Sequence, residues 1–201
     1  MNRIPDAIGN AASEFDAIPG VGPRAALRYA FWLVSLPKER IRRFAQAMLA
    51  VADGVMHCRT CGAWSTSEAC AVCADPGRDA SQLCVVATDQ DMRVVENSGA
   101  YRGRYHVLGG LLDPIEGKTP DMLGIDALLT RVSLPGSGIT EVVLAFDPDV
   151  RGDATALFLA RRMQGLPIGI TRLARGLPTG AQIEYADETT VADAFLNRRK
   201  T

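Results

Sequence analysis

Two periodicities divide the chain. From Pro23 to Leu49 apolar residues recur at helical spacing, and from Leu83 to Leu173 short apolar runs alternate with helical patterns. In the first part Ala26, Leu27, Ala30, Phe31 and Val34 repeat along a helix that starts at Pro23, a residue suited to the first helical position because its missing N–H has no partner to lose there. Tyr29 and Trp32 lie within this apolar helix and are expected in its core. A further helix is predicted after Pro37, with Ile41, Phe44, Ala45, Met48 and Leu49 as its apolar stripe. In the second part Leu83–Ala87, Tyr105–Leu108, Val142–Phe146 and Ile168–Leu173 read as strands, and helices are predicted to begin near Asp89, Pro120 and Asp153. Strands that alternate with helices imply a mostly parallel sheet covered on both faces. Cys84 falls inside the first apolar run and reads as a buried strand residue. Beyond it all, Gly176, Pro178 and Gly180 mark a loop, Ile183–Tyr185 a short strand, and Asp187–Leu196 a helix, followed by a basic, solvated tail of Asn197, Arg198, Arg199 and Lys200.

Between the two parts lies the densest chemistry. Cys58, Cys61, Cys70 and Cys73 form two Cys-x-x-Cys pairs with eight residues between them. Each pair presents two thiolates from one turn, and two facing turns complete a tetrahedral sulfur site of the kind zinc favours. Two disulfides, or a redox dithiol, are the competing readings. A redox site needs only one pair, and disulfides belong to exported proteins. The start, Met1–Asp6, has no apolar export region, and no apolar run approaches the length of a membrane span. A soluble cytoplasmic protein with reduced thiols and one zinc per chain is therefore expected. His57 precedes the first pair but is not needed where four sulfurs satisfy the ion. Gly62 and the Asp75-Pro76-Gly77 turn suit a small β-type finger, too short to bury a core of its own, so that metal would supply its folding energy.

Charge sharpens the first part. Over 201 residues the net charge is only −1, so any nucleic-acid contact must come from a local patch. Arg24, Arg28, Lys38, Arg40, Arg42 and Arg43 face a single acid, Glu39, between positions 24 and 43. Ahead of them Gly20 and Gly22 flank Val21, which makes a tight hairpin feeding a helix start. Backbone N–H groups and the positive end of the helix dipole form an anion site there, with Arg24 and Arg28 one turn apart to add charge to a phosphate contact. The pattern Ile18-Pro19-Gly20-Val21-Gly22-Pro23-Arg24 resembles the helix-hairpin-helix motif, which implies a grip on the DNA backbone without sequence readout.

At the end of the third predicted strand, Asp147 and Asp149 stand two apart, where paired carboxylates could chelate Mg²⁺. A strand-end carboxylate with this Asp-x-Asp resembles the Toprim fold of topoisomerases and primases. Taken with Tyr101–Gly110, Gly152–Ala156 and Leu173–Asp187, the order of hairpin, four-cysteine finger and Toprim sheet resembles the RecR family of bacterial recombination mediators over almost the whole length. The resemblance implies an α/β protein with small α and zinc modules: a helix-hairpin-helix DNA-binding domain over 1–56, a four-cysteine zinc finger over 57–79, a Toprim domain over 80–175 and a partly helical C-terminal segment at a subunit interface over 176–201. It further implies a non-enzymatic, nucleoid-associated mediator of recombinational DNA repair. Such proteins form ring-like tetramers that encircle single- or double-stranded DNA, and with RecO and RecF they load RecA onto single strands. On this resemblance Gly20, Gly22, Arg24 and Arg28 touch DNA and the four cysteines hold zinc.

The chain departs from the family pattern at two places. Ala87 stands where the first Toprim strand usually ends in Glu, and Arg151-Gly152 where Glu-Gly is usual, with Asp147 and Asp149 replacing small or neutral residues. Loss of that Glu removes the candidate general acid/base, and Arg151 adds a cation beside the carboxylates, so a Mg-dependent nuclease or primase is the weaker expectation. A zinc-finger regulator of transcription is weaker still, because the hairpin reads no bases.

Overall fold

The computed structural model describes residues 4–199, and the chain divides after Val55 into two compact units. The expectations placed on Met1, Asn2 and Arg3 of the start and on Lys200 of the basic tail lie outside the described residues.

The first unit is helical. α1 (Asp6–Asp16) packs against α2 (Pro23–Ser35), and α3 (Lys38–Gly54) follows after Pro37. Phe15 of α1 meets Tyr29 of α2 edge-to-face at 5.9 Å between ring centres. Small residues, Ala26 and Ala30, are the buried ones on α2, which lets the two helices approach closely. The expected core position of Tyr29 and Trp32 is corrected: they are 39% and 49% exposed. The same holds for the stripe of α3, which has no buried residue and leaves Phe44, Met48 and Leu49 open to solvent. The periodicity is helical as expected, but among the described residues the stripe stays unburied.

The second unit begins with the finger. β1 (Met56–His57) pairs antiparallel with β2 (Trp64–Ser65), and the single turn α4 (Ala71–Ala74) carries the last cysteine. A parallel four-stranded sheet follows: β3 (Asp79–Val86), β4 (Gly103–Val107), β5 (Glu141–Ala145) and β6 (Gly169–Arg172), connected through α5 (Asp89–Asn97), α6 (Ile125–Ser133) and α7 (Val150–Arg162). The spatial order is β4-β3-β5-β6, so the chain leaves β3 to one side and returns on the other. That reversal puts a crevice at the carboxyl ends of β3 and β5, where such sheets bind ligands.

β3 is central and buried on both faces, and its period of two sorts the core. Leu83 and Val85 join Val142, Leu144, Ile125, Leu128 and Leu159 on one side. Cys84 and Val86 join Tyr105, Val107, Ala145 and the finger's Cys58, Cys61 and Cys70 on the other. The finger is thus part of the sheet's own core. Cys84 is buried as expected, and burial pushes its thiol up to about 12.

Three boundaries differ from expectation. Pro120–Met122 is a single 3-10 turn, and the helix proper starts at Ile125 after Gly124. The next helix starts at Val150, because the Asp149 carboxylate accepts the Gly152 N–H at 2.7 Å and caps it. Ile183–Tyr185 is a 3-10 turn, not a strand: Tyr185 N–H bonds locally to Gln182 O rather than to a neighbouring strand. The final helix, α8 (Glu188–Leu196), is capped by Asp187.

A polar cluster ties the end of the finger to α5 and β4. Arg78 donates to both carboxylate oxygens of Glu96, and the Tyr105 hydroxyl donates to the same carboxylate at 2.8 Å. The Arg78 bonds hold the Glu96 carboxyl below its usual range, against the effect of burial and with help from Tyr105. A carboxylate depressed in the folded state stabilises fully above its unfolded value, about 4.3, and loses that contribution as pH falls through the folded value. Glu96→Gln is expected to cost about 2 kcal/mol at neutral pH, with the gap to the parent closing as pH falls below about 4. Urea unfolding at pH 7 and at acid pH measures this, and a gap that does not change with pH would reject the assignment.

Candidate metal centre and nucleic-acid interface

The first Cys-x-x-Cys turn is built by the backbone. Cys58 N–H donates to Ala63 O at 2.7 Å and Gly62 N–H to Cys58 O at 2.9 Å. Gly62 has φ +79°, and a Cβ there would lie 2.8 Å from the Val107 carbonyl oxygen, so glycine is required both by the turn and by its close approach to β4. Val107 N–H donates to Cys61 O at 2.7 Å, which closes the otherwise unpaired end of edge strand β4 with the knuckle itself. The second turn starts at Cys70, the N-cap of α4, whose N–H donates to the Cys58 sulfur at 3.3 Å.

These turns bring all four sulfurs within 4.8 Å of one another. Cys61 and Cys70 are 3.6 Å apart, far beyond a disulfide bond, and all four thiols are free. Tetrahedral zinc with Zn–S bonds of about 2.3 Å sets its sulfurs about 3.8 Å apart, so the donor set fits the ion. Burial raises the Cys58 thiol, but the N–H groups of Cys70, Cys61 and Thr60 outweigh it and bring the group down to about 6. Cys61 is pushed far up, first by its hydrogen bond with Cys73 and then by burial. Thiols of such unequal acidity share protons within one cluster, and a cation would replace them. His57 is turned away: its Nδ1 lies 2.8 Å from Gly62 O and its ring stacks on Trp64 at 3.8 Å.

In the first unit the hairpin has the predicted shape. Gly20 takes φ +82°, Val21 N–H closes the turn onto Ile18 O at 3.0 Å, and Gly22 is the N-cap of α2 with Pro23 in the first turn. No side chain caps this helix end, so its first-turn N–H groups point outward with the positive end of the dipole. Arg24 and Arg28 are both exposed, and the Arg28 guanidinium lies over the Tyr29 ring at 5.4 Å from its centre. Among the described residues Arg42 pairs with Glu39 at 3.7 Å, which leaves the basic patch largely without internal partners.

At the crevice of the sheet, Asp147 lines a cleft of about 370 Å³ together with Asp91, Arg172 and Arg175. Asp149 does not line that cleft. Its carboxylate caps α7 and pairs with Arg151 at 3.5 Å, and Arg151 also meets Asp113 at 3.5 Å. Both cleft arginines pair with Asp153. Ala87, at the end of β3, supplies no carboxylate. Among the described residues the one grouping with metal-ligand geometry is the four cysteines. One neighbour of that grouping escaped the sequence reading: Arg131, in the last turn of α6, donates to the carbonyl of Thr60 inside the first knuckle at 3.3 Å. Nothing in the local pattern sets it apart from any basic residue at a helix end.

Comparison with known proteins accounts for nearly the whole chain. Residues 8–52 match the model of the RecR helix-hairpin-helix, residues 81–174 that of the Toprim domain, and residues 176–199 that of the RecR C-terminal region. Recombination protein RecR of Mycobacterium ulcerans is 45% identical over 189 residues, covering 92% of this chain and 93% of the relative. The proteins of that name from Mycobacterium leprae and Nocardia farcinica are 43% and 44% identical, over 96% and 92% of this chain and 96% and 94% of their own lengths. With its uncapped hairpin helix, its four-cysteine cluster and its parallel Toprim sheet in the same order, the chain belongs to the RecR family of recombination proteins.

Proposed function

We propose that this protein is a non-catalytic, DNA-binding mediator of recombinational repair that clamps DNA as a ring of four chains and, with RecO and RecF, promotes loading of RecA on single-stranded DNA. The observation that carries the reading is the hairpin, where outward N–H groups at an uncapped helix end stand beside exposed Arg24 and Arg28. That arrangement suits phosphate and offers nothing to distinguish bases. The four cysteines hold one zinc per chain and serve structure, since four protein ligands leave the ion no open position. Such a clamp works in the cytoplasm, on the nucleoid. No helix among the described residues is long and apolar enough to cross a membrane.

Two further observations support assembly without catalysis. A closed ring built from dimers needs two different self-complementary surfaces. The chain carries two separate uncovered apolar sets: Phe44, Met48 and Leu49 (60% exposed) on α3, and Tyr185 (80% exposed), Phe195 and Leu196 near the C-terminus. At the Toprim crevice, Ala87 offers no acid/base group, and Asp149 is engaged as a cap and ion-pair partner.

Sedimentation of the zinc-loaded chain with and without DNA tests the reading. Four-chain particles that retain DNA are expected, and Leu49→Asp is expected to lower the mass. A monomer under both conditions would reject the clamp. Mg-dependent nicking or priming that Asp147→Ala abolishes would reject the non-catalytic assignment.

A further inference from the structure

The finger poses a charge problem. Four thiolates on a divalent cation leave a net charge of −2, and three of these cysteines sit in an apolar cluster with Val86, Tyr105 and Val107. Buried charge is tolerated where it is paired and hydrogen-bonded. The Cys70 N–H supplies one such bond, to the Cys58 sulfur. A full positive charge reaches the first knuckle from α6. Arg131 extends from the last turn of α6, and its Nη1 donates to Tyr105 O on β4 at 2.7 Å and to Thr60 O at 3.3 Å.

Its surroundings are otherwise hard to explain. Among the described residues Arg131 makes no ion pair with Asp or Glu. Arg104 of β4, a like charge, lines the same cavity, and the wall the two share holds no carboxylate. Two guanidiniums side by side in a partly buried site repel each other unless an anion offsets them. Thr60, whose carbonyl oxygen accepts from Arg131, lies between Cys58 and Cys61 within the first knuckle. The two hydrogen bonds fix the guanidinium beside the knuckle and hold it there.

We propose that Arg131 is the fixed counter-charge of the metal–tetrathiolate centre, a positioning residue reaching from the sheet's helical layer that sets how tightly the finger keeps its metal. The inference rests on the reading that the four cysteines bind zinc. Partners of this kind around metal ligands are typically worth about 10–100-fold in metal affinity. Charge is the operative property, so lysine should replace arginine where glutamine and methionine cannot.

The test is metal release from the zinc-loaded full chain into excess chelator, comparing the parent with Arg131→Gln, Arg131→Met and Arg131→Lys. Release about tenfold faster or more is expected for Gln and Met, and within about threefold of the parent for Lys. In the cobalt-substituted protein the thiolate-to-metal charge-transfer band should shift in the two neutral variants and stay in place for Lys. Equal loss of metal from all three variants would assign Arg131 to packing alone and overturn the proposal, as would an unchanged rate in Gln and Met. Should the neutral variants not fold, the Lys variant decides alone: retention near the parent rate supports the charge role, and tenfold faster release overturns it. A parent chain that binds no metal overturns both this inference and the zinc reading, whereas a metal-loaded parent with indifferent variants overturns this one only.

Discussion

Replacing Cys58 and Cys61 with serine is expected to abolish metal binding and to unfold the finger together with the sheet face beneath it. The size of the effect follows from where the ligands sit. Cys58, Cys61 and Cys70 belong to the same buried cluster as Cys84, Val86, Tyr105 and Ala145, so the site cannot fail without exposing that face. Structural zinc contributes on the order of 10 kcal/mol of binding free energy, comparable with the entire stability of an ordinary domain. The knuckle also closes β4 through the bond from Val107 N–H to Cys61 O, which would be lost with it. Thermal unfolding of the parent with and without chelator, beside the double variant, measures this. The parent should lose stability with chelator, and the variant should start low and not respond. DNA binding is expected to fall with the fold. A double-serine protein that unfolds at the parent's temperature and binds DNA normally would refute the structural role.

Arg24→Ala combined with Arg28→Ala is expected to weaken DNA binding by on the order of fifty-fold at 0.1 M salt, to the same degree for unrelated sequences. Each phosphate contact contributes roughly 0.9 to the slope of log K against log salt on duplex DNA, so losing two should reduce the slope by about 2. The geometry supports treating the pair as phosphate contacts. Both side chains are exposed on α2, one turn apart, just beyond the uncapped N–H groups after Gly22. Because the variants keep Gly20, with its φ of +82°, and Pro23, the hairpin itself should persist. Anisotropy titrations on two sequences at several salt concentrations provide the measurement. An unchanged slope would remove the hairpin from the interface, and a loss confined to one sequence would mean base readout.

Much of this was legible in the chain, for identifiable reasons. The two knuckles declare themselves because thiolate chelation needs a fixed short spacing within each turn, and spacing is a property of sequence. The parallel sheet was legible because β3 is buried on both faces and so reads as an unbroken apolar run, Leu83 to Ala87. The hairpin was legible because Gly20 must take a positive φ and Pro23 suits a first helical turn.

What misled was burial in the first unit. Tyr29 and Trp32 have helical periodicity, which reports that a face is apolar but not what covers it. The helix start at Val150 was misplaced because a cap acts through side-chain geometry: Asp149 reads as a metal ligand until its carboxylate is seen on Gly152 N–H.

By itself, then, the sequence determined the family, the order of modules, the pairing of the four cysteines into two knuckles and the shape of the hairpin, since each depends on local spacing and backbone preference. Only the tertiary structure decided that the finger shares a core with the Toprim sheet, that Asp149 is occupied as a cap and that Arg131 stands beside the first cysteine knuckle. The first and third depend on contacts between positions far apart in the chain, Arg131 lying 71 residues from Thr60, whereas the Asp149 cap is local and is decided by where its carboxylate points, onto the Gly152 N–H. Long-range packing and the offsetting of buried charge have no local signature, because they are properties of where the folded chain brings distant side chains together.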